Sequence, residues 1–342
     1  VIEQIIHGVE NLLTGYRISG HSYAGIIAGT LEQYVHLGDA CTMTDNLAYD
    51  PKLAADKVKD GRSGKRDDRW VFTSRDSSLE YLVIASLAAA GRILKGYDDE
   101  LARECLATAF KAWRYEQEHE PVENWSAYVP GRRPAMEALA ACVLLSCTGE
   151  EEYKERLRAL LPEAAEHFFW VGGVFARAIS YMQDESFTAS VQAAAVAYRE
   201  NREKEWISNP FGVPYFHNIW GVGWLLQRYA LQEYFLHRAF PDLFPAENIF
   251  QVVHYALGCH PASNLSLVSG VGAQSVTATY GVNRAEYSYI PGGNVSGPSL
   301  ILPDFPELKS PYPFLWQQTE YVMSGAASYI FCVLAADKLL NT

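Results

Sequence analysis

The chain has 342 residues, 49% of them apolar, and its 28 Lys+Arg against 40 Asp+Glu give a net charge of −12. That much apolar material supports a large core, in one big domain or two ordinary ones. The acidic balance, without any cluster of Lys and Arg, argues against nucleic acid as a partner, because phosphate-backbone binding rests on such clusters; a neutral ligand fits better.

The chain opens on a helical pattern. Val1 to Leu13 sets Ile2, Ile5, Ile6, Val9, Leu12 and Leu13 at helical spacing, with Gly15 able to end the helix. No basic region precedes it, so no signal peptide is expected in this stretch. Gly20 to Arg75 is mixed and polar, with turn clusters at Asp50-Pro51 and Gly61 to Gly64, and reads as a long loop with short irregular elements. From Ser77, an S-x-x-E capping box with Glu80 introduces an apolar run to Leu94 that stops at Gly96. Asp98 then opens a helix running to the neighbourhood of Pro121.

Further helical patterns cover Pro134 to Cys147, Glu150 to Leu161, Pro162 to Tyr181, Asp184 to Glu203, Ile219 to Phe240, Ala246 to Gly258 and Trp316 to Leu340, making about ten helices. No stretch alternates as a strand, and Ser266 to Val268 and Ser288 to Ile290 are at most short ribbons. Without a 30- to 45-residue repeat, the array is expected to close as an α/α toroid rather than stack as a solenoid. The longest apolar stretch, Tyr321 to Ala336, is interrupted by Ser324, Gly325 and Ser328 and falls short of the ~18 to 20 residues a bilayer requires; it reads as a buried helix, and no membrane partner is expected.

Six cysteines (Cys41, Cys105, Cys142, Cys147, Cys259 and Cys332) form no C-x-x-C pair, and four lie in apolar helical stretches, which is the pattern of small buried hydrophobes. Gly20-His21-Ser22-Tyr23-Ala24-Gly25 imitates a nucleophile elbow, but a helix precedes it and no β/α alternation supplies the sheet an elbow needs, so it reads as plain loop. The histidines form no H-E-x-x-H, and His217, His254 and His260 read as loop or core residues rather than zinc ligands. Gly270-Val271-Gly272 lacks the third glycine of a dinucleotide fingerprint.

The stretch with functional promise is Tyr255 to Ala327, rich in Gly, Pro, Ser and aromatics. Ordering so long a loop costs roughly 1 to 2 kcal/mol per residue, and a compact domain keeps one where it builds a site. Glu320 lies at its exit, in the expected first turn of the last helix, after Tyr312, Phe314 and Trp316. Position alone makes it an acidic residue favourable to the helix macrodipole, by about 0.3 to 1 kcal/mol.

Several segments of this stretch carry a resemblance. Tyr255-Ala256-Leu257-Gly258 followed by Pro261 is similar to a Y-x-L-G-x-N-P segment, with His260 in the asparagine's place. Ser266 to Gly272 resembles S-x-V-x-G-x-G, and Asn283-Arg284 falls where His-His-Arg is usual. Upstream, Ala138 to Leu157 is similar to a helix, Thr-Gly turn and Tyr-containing helix. The pattern resembles glycoside hydrolase family 9, the inverting cellulase-type family built on an α/α toroid of six helical hairpins. The resemblance places Glu320 on the catalytic acid, Trp316 on the aromatic before it and Ala327 on the small residue after it.

There are departures from the family pattern. Pro311 and Ala326 replace an aspartate and an asparagine around the acid, and the family's Asp-Ala-Gly-Asp motif, which supplies the general base, is absent from the chain. The resemblance thus implies one catalytic (α/α)6-type domain over residues 1–342, with about ten of twelve helices, N-terminally incomplete and with a sugar preference that need not be cellulose. Its implied substrate is a β-linked glucan-type poly- or oligosaccharide. Arg284, with Asn283 and Tyr280 beside it, would donate to sugar hydroxyls. Trp316, Tyr312, Trp125 and Trp220 would stack on pyranose faces. Asp39 and Asp45 are the loop carboxylates considered as substitute bases.

No cofactor is expected; the family often carries calcium, for which no ligand set is matched, and a secreted or periplasmic location is implied. Asn124, Asn264 and Asn294 stand in N-x-S sequons. The competing readings are a carbohydrate-binding protein on a degenerate hydrolase scaffold, motivated by the missing base, and another α/α-toroid sugar enzyme such as a polysaccharide lyase.

Overall fold

The computed structural model describes residues 1–28, 39–41, 45, 47–124, 129–205, 209–214, 220–261, 264–277, 289–298 and 316–341. Among these the helices are α1 (Ile2–Ser19), α2 (Ser77–Leu94), α3 (Asp99–Glu118), α4 (Arg133–Thr148), α5 (Glu151–Ala165), α6 (Phe168–Met182), α7 (Glu185–Glu205), α8 (Val222–Ala239), α9 (Glu247–Ala256), α10 (Trp316–Thr319) and α11 (Met323–Leu340). They divide into two compact units, Val1–Leu160 and Leu161–Thr342, the division falling inside α5.

In the first unit α2 is the central helix, packed by α1, α3 and α4. It is buried on nearly every side, from Leu79 and Tyr81 through Ile84, Leu87 and Ala88 to Leu94. Gly91 lets α3 approach, since a Cβ there would lie 2.9 Å from the Ala102 carbonyl oxygen. Trp113 of α3 packs edge-on against Tyr81 and Tyr153, at 5.7 and 5.4 Å between ring centres. The N-cap of α2 is Asp76 rather than the Ser77 that the S-x-x-E pattern indicates; its Oδ1 accepts from Leu79 N at 3.0 Å. Glu80 is thereby free of the capping box and fully buried, accepting from Ser22 N (2.8 Å), Ser22 Oγ (2.5 Å) and Tyr16 OH (2.7 Å). Ser22 is thus a structural serine holding the loop after α1. Burial, and secondarily the Glu80 charge, push the Tyr16 phenol well above its ordinary pKa.

Helix α1 runs past Gly15 to a left-handed Gly20 (φ 81°). Gly15 stays within the helix because the returning chain crosses it, so that a Cβ would meet the His21 carbonyl oxygen at 2.5 Å. The stretch read as irregular loop contains two small sheets. One orders β1 (Gly25–Ala28), β6 (Arg69–Phe72) and β2 (Asp39–Cys41), all antiparallel, with Ile26 opposite Val71 and Asp39 also opposite Val71. The other orders β3 (Ala48–Tyr49), β5 (Arg62–Ser63) and β4 (Val58–Lys59), with β4 and β5 joined through Asp60-Gly61 at φ 53° and 71°.

In the second unit α8 packs against α6, α9 and α11, and α7 covers α6. Its core joins Val222, Leu226 and Tyr229 of α8 to Val252 and Tyr255 of α9, Leu267, Val276 and Val295 of the long loop, and Cys332 of α11. Glu233 of α8 is fully buried, with Arg202 Nη1 at 2.8 Å from Oε1 and Asn248 Nδ2 at 2.6 Å from Oε2. Burial pushes this carboxyl up against the opposing pull of Arg202. Helix α5 continues through Pro162 to Ala165, where the proline was expected to begin the next helix.

Among the described residues two helices, α2 and α11, are long and apolar enough to cross a membrane by length and composition. Helix α11 was expected to be buried; it buries Gly325, Cys332, Ala335 and Ala336 and exposes Met323, Ile330, Leu334 and Leu340. Cys105, Cys142, Cys147, Cys259 and Cys332 are reduced thiols outside any disulfide, and burial pushes Cys105 and Cys332 up to about 11 and 12.

Two measurements follow from these buried groups. Glu80→Ala orphans three donors and should lower stability in urea by about 3 kcal/mol or more, whereas Glu80→Gln, which keeps an acceptor, should lose about 1 kcal/mol. His260 is a buried core histidine, its Nε2 2.8 Å from the Leu265 carbonyl oxygen, and burial lowers its pKa. Below the ordinary histidine pKa the unfolded chain therefore binds a proton that the native chain refuses, so stability falls as pH drops from 7 to 5, by at most about 1.4 kcal/mol per unit from this group. His260→Gln should flatten that slope in urea titrations at the two pH values.

Candidate active site

In the second unit Glu320 lies in a short extended break between α10 and α11, not in the first turn of a continuous last helix. Tyr321 bridges to Val295, Ser296 N donates to the Glu320 carbonyl oxygen at 2.8 Å, and Gly297 N donates to that of Gln318 at 3.1 Å. The loop strand at 294–297 therefore competes for the main-chain groups that would otherwise continue the helix. Helix α11 restarts at Met323, where Gly325 admits the Trp224 indole; a Cβ on Gly325 would lie 2.5 Å from its Cδ1.

The Glu320 carboxylate is held from the other side. Trp220 Nε1 donates to Glu320 Oε2 at 2.5 Å. Trp220 is 41% exposed, and its ring meets the edge of Trp224 at 5.1 Å and 89°. The next residue, left-handed Gly221 (φ 81°), donates its N–H to Ser296 Oγ at 2.5 Å. A closed ring results: Trp220 to Gly221 through the chain, Gly221 to Ser296, Ser296 to Glu320, and Glu320 back to Trp220. Beneath it, fully buried Asn294 donates from Nδ2 to Gln227 Oε1 (2.6 Å) and to the Gly325 carbonyl oxygen (2.9 Å), while Trp224 Nε1 donates to the Asn294 carbonyl oxygen at 3.2 Å. Asn294 is thus a buried structural amide in spite of its sequon.

Beside the ring lies a cleft of about 270 Å³ lined by Trp220, Trp224, Leu225, Arg228, Ser324 and Ser328. Arg228 lies 5.1 Å over the Trp170 ring. An aromatic wall with hydroxyls, a guanidinium and an adjacent carboxylate is suited to a polyhydroxylated ligand. A larger cavity, about 480 Å³ in the first unit, is lined by Tyr16, Arg17, Lys111, Arg114, Tyr115 and Glu118 and contains none of the residues expected to do chemistry.

Of the residues singled out in the sequence, Glu320 and Trp220 are brought together. Trp316 begins α10 and Asp39 begins β2. Tyr280, Asn283, Arg284, Tyr312 and Trp125 lie outside the described residues, as do His217 and Ser288. Trp224, Asn294, Gln227 and Ser296 were missed. The Trp-Gly-Val-Gly-Trp spacing at 220–224 was the available signal for a paired aromatic wall, whereas nothing local marks Asn294 or Gln227.

One further group of chemistry-bearing residues lies in the first unit. Asp45, Asp67 and Asp68 place ligand-capable oxygens within 4.8 Å of one another. Asp45 Oδ1 accepts from Leu47 N at 2.9 Å and Asp68 Oδ2 from Tyr49 N at 2.5 Å, while Lys65 Nζ stands 3.5 Å from Asp67 Oδ2. Asp68 Oδ1 is buried with no hydrogen-bond partner. An all-oxygen carboxylate set with an orphaned buried oxygen fits a hard divalent cation and not zinc.

Comparison with known proteins gives the same direction. A family model described as glycosyl hydrolase family 9 matches residues 32–306. No curated protein sequence matches. Among solved structures, the cellulase Cel9M of C. cellulolyticum superposes with a TM-score of 0.71 at 16% identity, over 99% of this chain and 77% of that one. The endoglucanase of the termite Nasutitermes takasagoensis gives 0.64 at 15% identity, over 97% and 77%. AaCel9A in complex with cellobiose-like isofagomine gives 0.63 at 18% identity, over 77% and 56%. At these identities the structures establish the fold, all-α and of the (α/α)6 type, and the match over most of the sequence establishes the rest: the chain belongs to glycosyl hydrolase family 9.

Proposed function

We propose that the chain is the catalytic domain, or the larger part of one, of an inverting glycoside hydrolase acting on a β-linked glucan or a related oligosaccharide, with Glu320 as general acid. The observation that carries this reading is the Glu320 carboxylate, fixed by an indole N–H and a main-chain bond beside an aromatic cleft. The cellobiose and isofagomine complexes of Cel9M and AaCel9A support a saccharide as the ligand.

Inverting hydrolysis uses two carboxyl groups on opposite faces of the sugar, one protonating the leaving oxygen and the other accepting a proton from the attacking water. Trp220 and Trp224 form the aromatic wall; Arg284, with Asn283 and Tyr280 beside it, is kept as a donor to sugar hydroxyls, and Tyr312, Trp316 and Trp125 as further stacking aromatics. The engagement of Asp45 with Asp67 and Asp68 favours a structural role for it, which leaves Asp39 as this chain's own base to test. The alternative source is a D-A-G-D segment ahead of Val1, and reading the coding sequence upstream separates the two. The absence of that motif from residues 1–342 is also what favours the second reading, a carbohydrate-binding protein on a hydrolase scaffold.

Glu320→Gln should abolish turnover of soluble β-glucan while cello-oligosaccharide binding by calorimetry stays within about threefold, because the amide cannot donate a proton to the leaving group. Undiminished hydrolysis by this variant removes Glu320 from the mechanism. Sugar binding without turnover in both proteins favours the binding reading.

Calcium at Asp45, Asp67 and Asp68 would tie the β3–β5 sheet to the strand that precedes α2, a structural role without a chemical step. Millimolar calcium should raise the melting temperature by several degrees and Asp68→Asn should cancel the increase. Equal melting with calcium and with a chelator dismisses the ion.

A further inference from the structure

The sequence marks Trp220 as a platform for a sugar face, but its N–H is directed to Glu320 Oε2 at 2.5 Å. An indole nitrogen donates and cannot accept. Whichever carboxyl oxygen faces it must therefore be the acceptor, and a proton on that oxygen would meet a second proton at hydrogen-bond distance. The two Glu320 oxygens are thus made inequivalent by a neighbour that has no second tautomer.

We propose that Trp220 is the positioning residue that assigns the transferable proton to Glu320 Oε1 and aims it at the glycosidic oxygen. This inference rests on Glu320 being the acid. In the step it serves, the O–H bond at Oε1 breaks as the proton passes to the glycosidic oxygen, and the C1–O bond breaks with its electron pair leaving on that oxygen. Water bonds to C1 from the opposite face while giving up a proton to the second carboxylate, the general base. Glu320 is left as a carboxylate, and the Oε2 contact to Trp220 becomes charge-assisted and hence stronger. The interaction grows as the proton departs, which is the differential stabilisation that accelerates a step rather than merely tightening binding.

The geometry gives Trp220 little freedom to do otherwise. Its ring is buttressed by the Trp224 edge, and its main chain is fixed one residue later by the Gly221 to Ser296 bond. Ser296 also holds the Glu320 main chain, so the backbone and the carboxylate of Glu320 are referred to the same anchor. A misaimed carboxyl group costs rate even where the group itself is retained.

The test is Trp220→Phe, which keeps an aromatic face and removes the N–H. On unactivated β-glucan, kcat should fall by about 10- to 100-fold with KM within about threefold. On 2,4-dinitrophenyl β-cellobioside, whose leaving group needs no proton, the rate should stay within about twofold. A stacking role alone predicts no loss on either substrate, and a merely structural role predicts equal loss on both; either result overturns the proposal.

A readout independent of turnover accompanies these rates. The indole ¹H–¹⁵N signal lost in Trp220→Phe should be the one that moves upfield in Glu320→Gln, and its failure to move refutes the bond itself. Should Glu320→Gln retain full activity on β-glucan, the acid assignment fails instead. Loss in Glu320→Gln with none in Trp220→Phe confines the failure to the positioning role of Trp220.

Discussion

Three segments of the second unit are held together at Ser296. Its N–H donates to the Glu320 carbonyl oxygen, its carbonyl oxygen accepts from Gly223 N, and its hydroxyl accepts from Gly221 N. The residue is fully buried, so each of these groups would be an uncompensated polar atom without its partner, at about 1 to 3 kcal/mol apiece. Gly223 is part of the same constraint, because a Cβ there would stand 2.8 Å from the Ser296 carbonyl oxygen. A loop strand thus replaces helix hydrogen bonds at the end of α10, and it is this replacement that turns Glu320 out of a helix and toward Trp220.

The helical scaffold is fixed by a different device. Glu80, Glu137 and Glu233 are all fully buried on α2, α4 and α8, and each has donors on both oxygens. For Glu137 these come from Arg156 and Gln117 on Oε1 and Arg133 on Oε2. A buried ion pair adds little net stability over apolar packing, but removing one partner is costly, so such groups penalise any sliding of one helix against its neighbour. The apolar residues supply the drive to pack and the carboxylates supply the register. That division suits a site whose parts are set on separate helix ends.

The helices were legible in the sequence because apolar residues recur at helical spacing over 12 to 25 residues, and the family could be recognised from short segments around Glu320. The errors lie where a tertiary contact overrides a local rule. Gly15 looked like a terminator and is instead a point of close approach to His21. The S-x-x-E pattern at Ser77 was preempted by Asp76, which caps α2 while Glu80 is claimed by Ser22 and Tyr16. Asp60-Gly61 did carry a local hairpin signal, and the strands it joins, two residues each, are too short to show alternation. The break at Glu320 could not be read at all. Apolar periodicity runs on through Tyr321 and Val322, and the competing partner, Val295 with Ser296, is a loop segment some 25 residues earlier.

Under the proposed function, that hidden break would join substrate binding and chemistry in one small body. If a pyranose stacks on Trp220, the ring that holds the sugar is also the ring that holds Glu320 Oε2, and both are referred to Ser296 through Gly221. A displacement of the platform therefore moves the proposed proton donor with it, and the distance between sugar and acid is kept. Because the indole N–H is committed to the carboxylate, the platform offers the sugar only its face. Apolar contact with an axial C–H surface discriminates poorly among hydroxyl patterns. Under the proposed function, discrimination would then come from polar groups elsewhere along the cleft, such as the guanidinium of Arg228 that lines it, and the Trp220–Glu320 pair would leave the choice of sugar to them.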